Sequence, residues 1–459
     1  MIPARIIAPA LAIVMLSTIA RAEVSSETGS GASPRVVPQQ TLDVFGAAHA
    51  RTGTPLTALI AQALENNPEI QAALREREAA QQRISPAEAL DDPVLEAGVL
   101  YAPLASSTFN REDMTMKMIG LSQRLPFPGK RGLRKDVATE EAQSVSYGYE
   151  ETVNRVVRDL KVAYFDLGLT LEMIRLVEKN KLILEELLHI AEDHYAVGRG
   201  SQADVLKAQT QVSRMTDELL RLVRERRTIE AELVRLLGHS AAIAILIPEL
   251  PQLREEPLNL ESLLEAALMQ RAQLLALQSL VTRNEKALEL ARKNYYPDFD
   301  VRMSYGQRDN MLDGTSRPDM VSVTVAVNLP VWRGNKLAPR EAESLAMRGQ
   351  ALSLYQAQRD EVIARLRKEV AIAEQNLKSA QLYRTAILPQ ARLTVESALA
   401  AYRVDRVDFL TLLDSQMTVF NFEISLATAI AGYNKALAEI DFLTGKSPAN
   451  LPASSGEGM

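Results

Sequence analysis

Phe299-Asp300-Val301-Arg302-Met303-Ser304-Tyr305, and beyond it Val321-Ser322-Val323-Thr324-Val325-Ala326-Val327-Asn328, alternate apolar and polar side chains residue by residue. A period of two predicts extended strands with one greasy face and one wet face. The same pattern stands 204 residues earlier, where Leu95, Ala97, Val99 and Tyr101 alternate with Glu96, Gly98 and Leu100. A single strand of this kind fits the half-buried sheet of a soluble protein equally well. Two strand pairs in an otherwise helical chain read differently: runs of about ten residues, apolar outward and ending in Tyr, suit a barrel wall in lipid. Four strands cannot close a barrel, which takes about eight or more, so several chains must contribute.

The strands belong to a duplicated unit. Leu125-Pro126 recurs as Leu329-Pro330 and Pro93 as Pro297, both 204 residues apart (329 minus 125, 297 minus 93). Tyr195, Val197, Arg199, Leu206, Gln209 and Gly238 recur at a spacing of 207 (402 minus 195), as Tyr402, Val404, Arg406, Leu413, Gln416 and Gly445. Two offsets that differ by three residues indicate one long unit repeated, with a small change of length inside a helix, rather than an array of short repeats. Each unit, 54–250 and 251–448, reads helix, strand, strand, long helix, turn, helix. Leu56 to Ala89 and Leu258 to Asn294 are helical by periodicity, the first broken at Asn67-Pro68. From Arg131 to Val197 no proline intervenes, which permits a helix of about 100 Å. Its seam runs Val153, Val156, Leu160, Tyr164, Leu167, Leu171, Ile174, Val177 in coiled-coil steps. The counterpart from Ala342 to Tyr402 carries Leu352, Tyr355, Ile363, Leu366, Val370, Ala373 and Leu377, with a kink expected at Pro389. Reverse turns are expected near Gly198-Arg199-Gly200 and Val404-Asp405-Arg406, and the returning helices end at Gly238 and Gly445.

Composition agrees with long helices packed through small side chains: 459 residues, 47% hydrophobic but only 5% aromatic, with one Trp and nine Phe. The N-terminus has Arg5, an apolar stretch from Ile6 to Ile19 and Ala20-Arg21-Ala22, which predicts a secretory leader over residues 1–22 cleaved after Ala22. Without Arg5 and Arg21, 50 basic residues (52 minus 2) face 58 acidic ones, a charge near -8 that argues against nucleic acid as a partner. There is no cysteine, so neither disulfides nor a lipidated cysteine is available. Beyond the leader no apolar run is long enough to cross a bilayer as a helix. Membrane residence therefore requires closed β-structure. The segment 23–53 carries no firm structural signal, and 449–459 reads as a flexible tail.

Catalytic constellations are missing: no phosphate-binding loop, no H-E-x-x-H and no nucleophile elbow, so neither an enzyme nor a cofactor is expected. Glu186-Leu187-Leu188-His189 has di-iron spacing but lacks its companions, and His49, His194 and His239 are scattered, so no metal site is assigned. Met114, Met116 and Met118 are candidate lumen residues, because Met116 and Met118 align with Met320 and Ser322 on the polar side. Thioethers there could touch a passing soft ion, whereas a bulged register or plain lining would make them inert. Asp204, Asp405, Asp408 and Asp414 would form rings at the hairpin ends on oligomerisation, attractive to cations. Arg199, Arg403 and Arg406 could pair with them as latches; the plainer reading is solvated charge, at about 0 to 1 kcal/mol per pair.

Tyr195-Ala196-Val197-Gly198-Arg199-Gly200-Ser201-Gln202-Ala203-Asp204 and Tyr402-Arg403-Val404-Asp405-Arg406-Val407-Asp408, with the helices that follow, resemble the two hairpin tips of the TolC family of outer-membrane efflux proteins. The resemblance implies a mainly α fold with a membrane β-barrel, and a homotrimer whose twelve strands form a barrel in outer-membrane lipid above a periplasmic α-helical tunnel. It also implies a periplasmic adaptor (membrane fusion protein) docking at Val197, Gly198, Arg199, Gly200, Ser201 and Val404 to Val407, and an inner-membrane RND-type pump. The family gate uses acidic residues after the second turn; Asp414 matches one, Thr411 stands at its neighbour, and Asp204 holds the position equivalent to Thr411 (411 minus 207). Leu125-Pro126-Phe127-Pro128-Gly129-Lys130-Arg131-Gly132-Leu133-Arg134 is similar to the strand-to-helix corner of the CzcC-like heavy-metal branch, although a rigid turn with a solvated basic cluster explains it equally well. The expected function is a passive export conduit, for heavy-metal cations or alternatively for drugs and other organic compounds. The competing class is a poreless periplasmic coiled-coil scaffold.

Overall fold

Asn67-Pro68 sets the first corner. Proline restricts the residue before it to extended backbone, so the helix Leu56–Asn66 (α1) stops and Pro68–Gln82 (α2) starts anew, with the Asn67 side chain accepting from the N–H groups of Glu69 and Ile70. The computed structural model describes residues 55–102, 112–238 and 257–446. The expected leader 1–22, the segment 23–53, His49, His239 and the tail 449–459 lie outside them. A further break at Arg83, absent from the sequence reading, separates the short helix Ile84–Glu88 (α3).

Strands Val94–Leu100 (β1) and Met116–Leu125 (β2) follow, and then helix Lys130–Ala196 (α4), whose 67 residues span about 100 Å. The chain turns and returns as Gln202–Leu236 (α5). The second unit repeats the plan with helices Leu260–Gln270 (α6) and Ala272–Lys293 (α7), strands Asp298–Gln307 (β3) and Met320–Asn328 (β4), helices Ala338–Leu382 (α8) and Leu388–Tyr402 (α9), and the returning Phe409–Leu443 (α10).

Two differences from the sequence reading have physical causes. The stretch read as one helix from Leu258 to Asn294 is broken at Arg271, whose backbone (φ -65°, ψ 118°) copies that of Asn67 (φ -68°, ψ 123°) one 204-residue offset earlier (271 minus 67). Ala272 carries no proline restraint, so tertiary contact imposes the break: a Cβ on Gly445 would stand 2.6 Å from the Gln270 carbonyl oxygen, and the Arg271 side chain is buried. At Pro389 the expected kink takes the form of a π turn over Tyr383–Ile387, in which the Leu388 N–H reaches back five residues to the Tyr383 carbonyl. A second π turn, Arg333–Leu337, opens α8. Both fall between Pro330 and Tyr402, the stretch in which the second unit carries its three extra residues (207 minus 204).

The strands form one antiparallel meander, β1-β2-β3-β4. Pairing of Leu121 with Met303 and of Leu95 with Leu121, and of Val323 with Met303, puts the expected apolar residues of all four strands on one face. Below the sheet, apolar seams close the helices. One core gathers Ile60, Ile70, Leu160, Tyr164 and Leu236, a second Leu184, Leu222, Phe409 and Phe420 toward the turns, and a third Leu274, Leu366, Tyr433 and Phe442 in the second unit. In α8 the seam uses Val362, fully buried, and not the neighbouring Ile363. Tyr433 of α10 is buried in the third core, where the small side chains of Ala373 and Ala436 leave room for its ring.

Candidate functional site

The sheet offers both of its faces to the surroundings. On the apolar face Val321, Val323, Val325 and Val327 are 62%, 68%, 58% and 45% exposed, and Leu95, Ile119, Leu121, Met303 and Tyr305 are exposed beside them. Six residue steps from Phe299 to Tyr305 make a band about 20 Å long along the strand. Lys117 and Gln307, paired on this face beyond Tyr305, end it on the loop side, and Phe127 stacked on Tyr296 at 4.7 Å lies at the helix side. An apolar face of this size costs a soluble monomer heavily, and β1 and β4 leave their outer edges open within the protomer. Among the described residues no helix is long and apolar enough to cross a membrane; the sheet is the element suited to lipid.

The polar face is graded. Gly120, buried and centred between the Glu96 and Ser304 positions, leaves room for Glu96 of β1 and Arg302 of β3 to meet at 3.0 Å across the intervening strand. Met116, Met118 and Met320 belong to this same face, whereas Met114 stands outside β2 in the turn before it and is 54% exposed.

Where the sheet joins the helices, the corner read as a solvated basic cluster is something else. Gly129 adopts φ 87°, which turns Lys130 inward until it is only 3% exposed. Its Nζ donates to Asp298 Oδ1 at 2.8 Å and to the Tyr296 carbonyl at 2.9 Å, while the Phe127 N–H donates to the same Asp298 oxygen at 2.9 Å. Lys130 thus locks the first unit to the start of β3 in the second. Beside it, Arg131 donates to the Glu88 carbonyl at 2.7 Å and Lys135 pairs with the Glu88 carboxylate at 2.7 Å.

In the half of the helices nearer the turns, α4, α9 and α10 line a charged groove of about 480 Å³. Lys179 and Arg392 converge on Glu423 at 3.0 and 2.8 Å. Burial works to raise the Glu423 carboxyl, but the two cations and their hydrogen bonds outweigh it and hold it below its ordinary range. Asn180 and Gln416, both buried, join by a 2.9 Å hydrogen bond beside it. Closer to the middle of α4, Arg158 and Arg271 lie over the Phe442 ring at 4.6 and 4.8 Å, and Arg271 donates to Glu151 at 3.2 Å. Burial pushes Glu151 up and Arg271 down, each against the charge of the other.

The hairpin tips carry the sequence-derived candidates. After α4, Gly198 at φ 75° closes a Schellman turn in which the Arg199 N–H bonds the His194 carbonyl at 2.9 Å. The second tip builds the same turn with Asp405 at φ 57°, its Arg406 N–H bonding the Ala401 carbonyl at 2.9 Å. Asp204 completes a capping box with Ser201, and Asp408 caps α10 by accepting from Thr411. Asp414 is exposed on α10, as are Val197, Arg199, Arg403, Val404 and Arg406 at the turns, while Val407 packs into the core and Gly200 is half-buried. Among the described residues of one protomer, no carboxylate pairs with Arg199, Arg403 or Arg406. Tyr195 and Tyr402, equivalent in the duplication, part company: the first is 50% exposed, the second 6%. His194, unassigned by the sequence, stacks on Tyr402 at 4.8 Å with its Nδ1 3.8 Å from Asp405. Burial, then the charges of Asp204 and Asp405, push the Tyr402 hydroxyl up. Glu186 and His189 do not converge on a site; His189 faces solvent beside Glu192, and among the described residues no three His, Cys, Asp or Glu side chains gather to hold a metal.

Comparison with known proteins agrees with this architecture. The sequence profile of the Outer membrane efflux protein family matches twice, over residues 59–239 and 263–446. The Cobalt-zinc-cadmium resistance protein CzcC of Cupriavidus metallidurans is 23% identical over 431 residues, 88% of this chain and 96% of that protein. The outer membrane protein VceC of Vibrio cholerae shares the fold at a TM-score of 0.73 and 18% identity, covering 85% of this chain and 96% of its own. The open-state MtrE outer membrane channel of Neisseria gonorrhoeae does so at 0.69 and 15%, covering 85% and 88%. With the lipid-suited sheet, the open strand edges and the long paired helices, the doubled family match places this chain in the outer membrane efflux protein family, whose members are trimeric outer-membrane channels of tripartite systems, with a helical tunnel in the periplasm, and transport rather than catalyse.

Proposed function

We propose that this channel exports heavy-metal cations delivered by an inner-membrane RND-type pump through a periplasmic adaptor. The observation that carries the reading is the similarity to CzcC, which runs through 96% of that protein rather than a single motif. The adaptor docks at the exposed turns, on Val197, Gly198, Arg199, Gly200 and Ser201 of the first tip and Val404 to Val407 of the second. Three protomers bring Asp204, Asp405, Asp408 and Asp414 into rings that favour cations in a narrow opening. Arg403 and Arg406, without a carboxylate partner among the described residues of their own protomer, latch onto the acids of the next one and hold the opening shut until the adaptor engages. Deleting the gene and measuring tolerance to zinc, cobalt, cadmium, copper and silver alongside common drugs tests the cargo. Loss of tolerance to metals alone supports the reading; loss confined to organic drugs overturns it.

A further inference from the structure

Strand pairing sets Gly306 of β3 directly between Met118 of β2 and Met320 of β4, on the polar face of the sheet. Met116 lies one pleat further along β2 on that face, and its sulfur leans over Gly306: a Cβ built there would stand 2.6 Å from Met116 Sδ. A second glycine, Gly98 of β1, is the other partner of Met118 and has open space above it. Gly306 thus gives the Met116 sulfur room to lie between the paired positions of Met118 and Met320, and Gly98 leaves open space on the other side of Met118. The remaining same-face partner in this tier is Leu100, opposite Met116. The next tier holds Glu96 in line with the Ser304–Ser322 pair, and Arg302 of the tier beyond pairs with Glu96 at 3.0 Å and neutralises it.

From this arrangement we propose that Met116, Met118 and Met320 form a binding site for a soft monovalent cation, silver(I) or copper(I), on the channel wall. Thioether sulfur selects such ions and gives little to zinc, cobalt or any ion that prefers oxygen or nitrogen. The tier lies at the loop end of the strands, away from the helices, so a trimer carries three such sites near the outer mouth. The proposal deepens the metal-export reading and rests on it for the polar face being the conducting one. Met114, exposed and outside the strand, takes no part.

Titration of the purified detergent-solubilised trimer with silver nitrate in chloride-free buffer, followed by calorimetry, tests it. The expected result is saturable uptake of one silver ion per protomer. Uptake is lost in the triple variant Met116→Leu, Met118→Leu, Met320→Leu and unchanged in Met114→Leu, with all variants still trimeric. Gly306→Ala keeps every sulfur but displaces that of Met116 from its place over Gly306, and weakens binding several-fold. Saturable binding that survives the triple variant, or none in the unaltered protein, overturns the site. Because this assay needs no cell, a deletion strain with normal metal tolerance would remove the export reading while leaving silver binding to stand or fall separately.

Discussion

Lys130 shows how far a residue's role can lie from its local sequence. In Pro128-Gly129-Lys130-Arg131-Gly132 it reads as one cation among several at a turn, because the group that claims it, Asp298, is 168 residues away. Nothing in the duplication marks the pair, since it joins one unit to the other rather than equivalent places in both. Lys130→Met strands Asp298 without its cation and should lower stability by about 3 kcal/mol, read as a fall in the unfolding temperature of the purified trimer. Arg131→Met, which loses a bond to a single carbonyl, should cost about 1 kcal/mol; equal effects would contradict the lock. Glu423 gives a pH signature. Its folded carboxyl sits below its ordinary value of 4.5, so its contribution is complete above that value and is lost as pH falls through the lower, folded one. Glu423→Gln should therefore destabilise the channel at neutral pH and flatten its acid sensitivity below about pH 4.5. A variant as acid-sensitive as the parent would argue against the cluster.

At the scale of elements, the alternation of Phe299 to Tyr305 and Val321 to Val327 made the strands and their faces readable, and the pairing register keeps every one of those apolar side chains on one side. The junction of β2 with β3 was not readable: it pairs Leu125 with Phe299 across the whole of α4 and α5, and alternation says which face a residue takes but not which strand lies beside it. The break at Arg271 was hidden for a related reason. Its twin at Asn67 is announced by Pro68, while Arg271 is held by a distant glycine and an aromatic ring. At the tips the two turns were visible from Gly198 and from the repeat, but His194 was not, since its partners Tyr402 and Asp405 come from the other hairpin. The two faces of β4 yield a direct contrast. Val323→Arg, on the apolar face, should cost about 2 to 4 kcal/mol near mid-membrane, whereas Thr324→Arg, on the wet face, should be tolerated. Yields of heat-resistant trimer in outer-membrane fractions would show it, and equal losses would contradict the assignment of faces.

For the whole molecule the decisive quantity is the number of chains around the pore. One protomer has a four-stranded sheet with two open edges, an exposed row of valines on one side and ion pairs and hydroxyls on the other. Backbone groups at those edges find partners within lipid only if β4 of one chain pairs with β1 of the next until the ring closes. Three chains give twelve strands, and their long helices form the tunnel beneath. Native mass spectrometry of the mature protein, released from outer-membrane vesicles in mild detergent, counts the chains directly. The structure predicts a mass of three protomers; a single water-soluble protomer, found without detergent, would contradict it.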